Sequence, residues 1–163
     1  FSVESEPIPD LNLFASVAYV HTEFTDFVIN RGSSGEQDLT GNEFPAAPRF
    51  SGSIGVSYTW RNGVTFAMDA SYTGAAFSNV QNTEKNDSRF LINTQLTYEA
   101  RNGWTAGLYI RNLLDQDYAT LRSSVNLGPE ASVPANPFDD TGVTDIVRLG
   151  EPRTIGFYVR RVF

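Results

Sequence analysis

Hydrophobic and polar residues alternate with a period of two over the end of the sequence. Ile155, Phe157 and Val159 fall on one parity, and Thr154 and Tyr158 fall on the other. This period predicts a β-strand with one apolar face, spanning residues 152–163. The strand finishes on an aromatic residue, Phe163. That ending is typical of an outer-membrane β-barrel, in which the last strand pairs with the first and aromatic residues mark the membrane interface.

The same alternation predicts five earlier strands. The clearest lies before a turn signal, where Phe50, Ile54 and Val56 alternate with serines. Strands of about 9–11 residues are long enough to cross the hydrocarbon core when they are tilted. Residues 1–10, with two prolines, are expected to form a turn that enters the first strand. The five predicted strands cover residues 11–24, 49–60, 64–74, 89–99 and 104–113.

Short turns alternate with long loops between these strands. Arg61-Asn62-Gly63 recurs as Arg101-Asn102-Gly103, 40 positions later, and Asn-Gly favours a tight turn. The other connections, at residues 25–48, 75–88 and 115–151, are long and polar. In an outer-membrane barrel the short turns face the periplasm and the long loops face outward. Four aromatic residues beside the turns fit an interfacial belt: Tyr58, Trp60, Tyr98 and Trp104.

Six such strands are too few to close around a cavity, since the interior of a barrel is already full at about eight strands. In lipid, every unpaired backbone group at an open edge costs several kcal/mol. We therefore expect the chain to be a piece of a larger antiparallel barrel, or one protomer of a barrel built from several chains. The apolar parity is expected to face lipid and the polar parity the lumen. Polar-parity residues include Arg49, Asp69, Arg89, Asn93, Gln95, Glu99, Arg111 and Arg160.

Composition excludes several other classes of protein. The 163 residues contain no cysteine and one histidine, His21, so a thiolate or histidine metal site is not expected. A net charge of -7 argues against nucleic-acid binding. We find no nucleophile elbow, phosphate loop or Cys/His cluster, which argues against an enzyme, and we predict no cofactor. Without an initiator methionine or a signal peptide, Phe1 is expected to begin a fragment.

Two motifs resemble the C-terminal end of TonB-dependent receptors. The first is Asn112-Leu-Leu-Asp-Gln-Asp-Tyr118, and the second is Glu151-Pro-Arg-Thr-Ile-Gly-Phe157 with a terminal Phe163. The segment Pro45-Ala-Ala-Pro48 before Arg49 is similar to the loop-to-strand entry of that family. Arg161 departs from the pattern, because the family usually has an apolar residue there.

This resemblance implies a plugged barrel of about 22 strands in the outer membrane of a Gram-negative bacterium. It implies uptake of a scarce solute, such as a ferric siderophore or cobalamin. The implied partners are the remaining barrel strands, a plug domain, the periplasmic TonB protein acting through an N-terminal box, the barrel assembly machinery and membrane lipid. The plug and the box are not in this sequence, and the solute is not identified by it. The implied assembly signal consists of Phe157, Val159 and Phe163.

Two alternatives stay open at this stage. One is a passive outer-membrane pore assembled from several short chains. The other is a soluble β-barrel or sandwich that binds an apolar ligand, against which the long outward rows of apolar residues argue.

Five residues are candidate ligand contacts. Arg49, Arg89 and Arg111 either meet an anionic ligand or pair with carboxylates of the lumen or the plug. Tyr118 and Phe138 either stack on a flat chelate or pack within their loop. The acidic residues of this loop match no calcium-binding pattern, so we predict no metal site; they include Asp139, Asp140 and Asp145. Asn112 and Asp115 are expected to be structural, because short polar side chains satisfy backbone groups where a strand breaks.

Overall fold

The regular structure consists of antiparallel strands. A computed structural model describes residues 1–30, 35–126 and 143–161, and the side chains of these except 124–126 and 143–145. The large strands are Ser2–Ile8 (β1), Leu11–Tyr19 (β2), Phe50–Thr59 (β5), Val64–Thr73 (β6), Arg89–Glu99 (β9), Trp104–Arg111 (β10) and Thr154–Arg161 (β13). They form one seven-stranded sheet in the order β1-β2-β5-β6-β9-β10-β13. The predicted all-β antiparallel fold is confirmed.

The three long connections each carry a small two-stranded sheet. Short turns join β1 to β2, β5 to β6 and β9 to β10, so the long connections all leave the same end of the sheet. Across the described ranges, no helix is long and apolar enough to cross a membrane. The strands of the small sheets are Val28–Asn30 (β3), Glu36–Asp38 (β4), Ala76–Phe77 (β7), Lys85–Asn86 (β8), Ala119–Asn126 (β11) and Val143–Leu149 (β12).

The expected turn at residues 1–10 is wrong, because most of this segment is strand β1, paired antiparallel with β2. The amide of Val17 and the carbonyl of Phe1 form a 2.9 Å hydrogen bond that ties the beginning of the chain to β2. Pro7 is tolerated because the pairing of β1 with β2 is irregular between Ser5 and Ile8, where a proline replaces no regular ladder hydrogen bond. The sheet therefore has seven strands rather than six. The strand expected over 11–24 ends at Tyr19.

The register of the paired strands places apolar side chains on one face of the seven-stranded sheet. Within the described part of the chain, Leu39 and Ala70 are the buried apolar residues, so this face is not covered by the chain itself. Phe157 is 82% exposed and Leu108 is 48% exposed. Such a continuous apolar face is stable against lipid and prone to aggregate in water. One row crosses six strands through Leu11, Tyr58, Phe66, Leu96, Leu108 and Phe157.

The opposite face carries polar side chains that bond across the strands. The hydroxyls of Ser16 and Ser53 lie 2.7 Å apart. The amide of Asn93 donates to Asp69 over 2.9 Å. Polar side chains are costly to place in hydrocarbon, so this face is suited to point away from lipid.

Both edges of the sheet, β1 and β13, lack a partner strand among the described residues. A row of unpaired backbone N–H and C=O groups in lipid costs several kcal/mol for each group. The sheet is therefore stable in a membrane only when further strands continue it on both sides.

Candidate functional site

The segment after β10 joins the ends of three strands at the end of the sheet that carries the long connections. Asn112 is 4% exposed. Its side-chain amide donates to the backbone carbonyl oxygens of Gln116 at 3.0 Å and Glu151 at 3.1 Å. Its Oδ1 accepts from the backbone N–H of Gln116 at 3.0 Å. The Asn112 N–H donates to Oδ1 of Asn93 at 3.2 Å. Oε1 of Gln116 accepts from the N–H of Phe90 at 2.8 Å. These contacts connect β9 and β10 to the segment that enters β13.

The backbone of this segment turns sharply at two short polar residues. Asn112 has φ 49° and Asp115 has φ 54°. Asparagine and aspartate are enriched in this left-handed region. Asp115 also accepts from the Arg153 N–H at 3.1 Å and pairs with the Arg153 guanidinium at 3.2 Å. Both residues thus have the structural positions that their type suggests.

Three of the five candidate ligand residues lie in one series of contacts above this turn. The guanidinium of Arg89 is 5.6 Å from the centre of the Tyr118 ring. The Tyr118 hydroxyl accepts from the Glu151 N–H at 3.2 Å. The Glu151 carboxylate lies 3.9 Å from Arg111, whose guanidinium is 5.5 Å from the centre of the Tyr109 ring.

This cluster has the chemistry for a flat, anionic ligand. The Arg111 and Glu151 side chains are 62% and 73% exposed, so both charged groups are accessible to a ligand. An ion pair this exposed contributes little to the stability of the fold. Guanidinium groups bind carboxylates through paired hydrogen bonds, and phenol rings stack on planar groups. The cluster is the candidate site.

Arg49 lies apart from the other candidates. Its guanidinium donates to both carboxylate oxygens of Glu43, at 3.1 Å and 2.8 Å. This hydrogen bonding, together with the negative charge of Glu43, raises the pKa of Arg49 above its ordinary value. Arg49 lines a cleft of about 420 Å³ together with Phe50 and Tyr72, which belong to the apolar face. It does not join the cluster of Arg89, Arg111 and Tyr118.

Several predicted positions lie outside the described residues. These are Phe138, Asp139, Asp140 and Phe163, together with the side chain of Asp145. Within the described ranges, no group of three acidic, histidine or cysteine residues is placed to hold a metal ion. The other two residues of the predicted assembly signal are exposed on the apolar face, Phe157 by 82% and Val159 by 60%.

Sequence reasoning missed a set of aromatic side chains on the polar face. The Tyr158 ring covers Gly107 and the Tyr109 ring covers Gly156, so a Cβ at either glycine would collide with the ring. The Tyr158 hydroxyl also lies 3.1 Å from the Gln95 amide nitrogen. The signal was available: on the polar parity, each tyrosine stands directly opposite a glycine in the register of β10 and β13.

Known proteins share the fold of this chain. A family model described as TonB dependent receptor-like, beta-barrel, matches residues 2–113. Among solved structures, the siderophore receptor PiuA from Acinetobacter baumannii is 19% identical with a TM-score of 0.72, over 96% of this chain and 20% of its own. The ferric yersiniabactin uptake receptor FyuA from Yersinia pestis is 14% identical with a TM-score of 0.72, over 99% of this chain and 23% of its own.

A third structure, the ferric preacinetobactin receptor BauA from Acinetobacter baumannii, is 16% identical with a TM-score of 0.62, over 97% of this chain and 20% of its own. Likeness at these identities establishes the fold. The chain spans about a fifth of the length of each of these proteins.

Proposed function

Since this chain belongs to the TonB-dependent receptor β-barrel family, whose members are outer-membrane transporters of Gram-negative bacteria, we propose that it supplies seven adjacent strands of a plugged import barrel. The observation that carries the proposal is the two-sided sheet. One face is an exposed apolar surface, the other is hydrogen-bonded and polar, and both edges need further strands. A barrel of about 22 strands provides those strands and a lumen wide enough for a plug. The motifs at 112–118 and 151–157 favour the C-terminal part of that barrel.

The proposed solute is a ferric siderophore. The three solved structures compared above are named as a siderophore receptor, a ferric yersiniabactin uptake receptor and a ferric preacinetobactin receptor. In this chain, Arg89, Arg111 and Tyr118 lie together at the end of the sheet that carries the long connections. An anionic iron chelate with planar donor groups would meet cations and a phenol ring at that position.

The proposed partners follow from the two faces and the two edges. A plug domain would contact the polar face, and strands of the same barrel would pair with β1 and β13. The barrel assembly machinery would recognise the terminal strand, including Phe157, Val159 and Phe163, and TonB would supply energy through an N-terminal box. No step in this proposal requires a resident cofactor or a catalytic residue.

The test is uptake of radioactive iron by cells that carry the full-length receptor containing this chain. The probes are ferric complexes of one catecholate, one hydroxamate and one carboxylate siderophore. We expect uptake of one complex that ceases when TonB is deleted. Arg89→Gln and Arg111→Gln should each raise the half-saturating concentration about tenfold, the scale of one charge-assisted hydrogen bond. Arg101→Gln removes the same charge from a short turn at the opposite end of the sheet and should leave uptake unchanged.

Uptake that persists without TonB would contradict the proposal. Steady ion conductance of the purified receptor in planar bilayers would instead favour the passive pore. Solubility of the full-length protein without detergent would favour the soluble barrel.

A further inference from the structure

Two copies of the same turn lie side by side at the short-turn end of the sheet. Strand β6 pairs with β9, which brings the turn after β5 next to the turn after β9. The N–H of Glu99 donates to the carbonyl oxygen of Gly63 over 2.8 Å, so the two turns are in direct contact. The repeat places Arg61 and Arg101 at corresponding positions of adjacent hairpins.

A cleft of about 490 Å³ lies between these turns. Arg61, Arg101, Tyr98 and Glu99 contribute to its lining. Both arginine side chains are exposed, and neither forms an ion pair with another described residue. Three arginines at the opposite end of the sheet each have a carboxylate partner within 4.0 Å. The cleft therefore holds two unpaired cations and one carboxylate, which leaves it positive in a chain whose net charge is -7.

Aromatic side chains place this cleft at the level of the lipid headgroups. Trp60, Tyr98 and Trp104 are 43%, 49% and 42% exposed beside the turns. Tryptophan and tyrosine concentrate at the membrane interface, where the apolar ring meets acyl chains and the polar atom meets headgroups. At this depth the abundant anion is a lipid phosphate, and arginine binds phosphate through paired hydrogen bonds.

We propose that this cleft binds the headgroup of an anionic phospholipid in the leaflet on the short-turn side. Arg61 and Arg101 donate hydrogen bonds to the phosphate, while Tyr98 packs along the glycerol and the upper acyl chain. Glu99 limits the affinity, because its carboxylate repels the phosphate. The proposal rests on the position of the chain in a membrane and is independent of which solute the receptor imports.

The test is native mass spectrometry of the full-length receptor containing this chain, delipidated in a neutral detergent. It is titrated with phosphatidylglycerol, and with phosphatidylcholine of the same acyl chains as a zwitterionic control. A basic side chain near an anionic surface contributes about fivefold to binding. We expect tighter binding of phosphatidylglycerol than of phosphatidylcholine, a loss of roughly 25-fold in Arg61→Gln/Arg101→Gln on the same scale, and tighter binding in Glu99→Gln.

A matched control removes two arginines from the opposite end. Arg122→Gln/Arg148→Gln changes the net charge equally on the hairpin of β11 and β12 and should bind phosphatidylglycerol like the wild type. Each variant is first checked for the folded barrel by resistance to detergent unfolding. The proposal is wrong if Arg61→Gln/Arg101→Gln keeps wild-type affinity, if it loses both lipids equally, or if the control loses as much. None of these outcomes depends on solute uptake.

Discussion

The side-chain amide of Asn112 donates a 3.1 Å hydrogen bond to the carbonyl oxygen of Glu151, which lies 39 residues further along the chain. This bond joins the end of β10 to the segment that enters β13. The third long connection therefore leaves and re-enters the sheet at two points that are joined by this buried amide as well as by the contacts between Asp115 and Arg153. The Arg89–Tyr118 contact and the Arg111–Glu151 pairing lie directly beside that amide.

Replacing Asn112 by glycine should destabilise the full-length receptor by about 2–3 kcal/mol, because several hydrogen bonds are lost and buried partners stay unpaired. Glycine adopts positive φ without strain, so the change isolates the side-chain contacts. The measurement is the free energy of unfolding in urea with the receptor in detergent. Asn12→Ala, at an exposed position of β2, is the control and should change stability by less than about 0.5 kcal/mol. Equal losses in the two variants would refute the assigned role.

Asn93 should contribute more to the stability of the receptor than its partner Asp69. Its amide donates to Asp69 at 2.9 Å and its oxygen accepts from the N–H of Asn112 at 3.2 Å. Asn93→Ala breaks both bonds and leaves a part-buried backbone N–H unpaired, so it should lower the free energy of unfolding by about 2 kcal/mol. Asp69→Ala breaks one bond and should lower it by about 1 kcal/mol. The same urea titration compares the two variants. A larger loss in Asp69→Ala would show that the bond to Asn112 contributes little.

Gly107→Ala should be destabilising because of the Tyr158 ring above it. The new methyl group would overlap that ring, and overpacking of this kind costs about 1–3 kcal/mol. Tyr158→Ala removes the obstacle. In a double-mutant cycle on unfolding free energies, the glycine substitution should therefore cost less in the Tyr158→Ala background. Additive effects would mean that the ring moves away freely.

The facing of the sheet is tested by one pair of adjacent positions. Ile54 is 61% exposed on the apolar face, whereas Ser53 bonds to Ser16 on the polar face. Ile54→Arg should cost about 2–4 kcal/mol if the position is near the bilayer midplane. Ser53→Arg should cost less, because its charge faces the polar side. The folding yield into lipid vesicles measures the cost of each substitution. Equal yields for the two variants would contradict the assignment of the two faces.

Local patterns in the sequence predicted most of the strands. Strand β5 was predicted over 49–60 and found at Phe50–Thr59, because alternation of side chains and the following Asn-Gly turn are both local signals. Strand β1 was missed, since Pro7 within it and Pro9 just after it favour a turn, and only pairing with β2 stabilises a strand there. Residue type and parity indicated Arg89 and Arg111, whereas residue type and a position in a long loop indicated Tyr118.

The sequence by itself determined the class of fold, the two faces of the sheet and the end that carries the long connections. Each of these depends on the period of side chains along one strand or on the residues of one turn. Only the tertiary structure decided that Arg89 lies over Tyr118, that Arg49 is held by Glu43 away from them, and that Tyr158 covers Gly107. Those contacts depend on strand register and on where long connections return, and both are set by pairing between residues far apart in the chain.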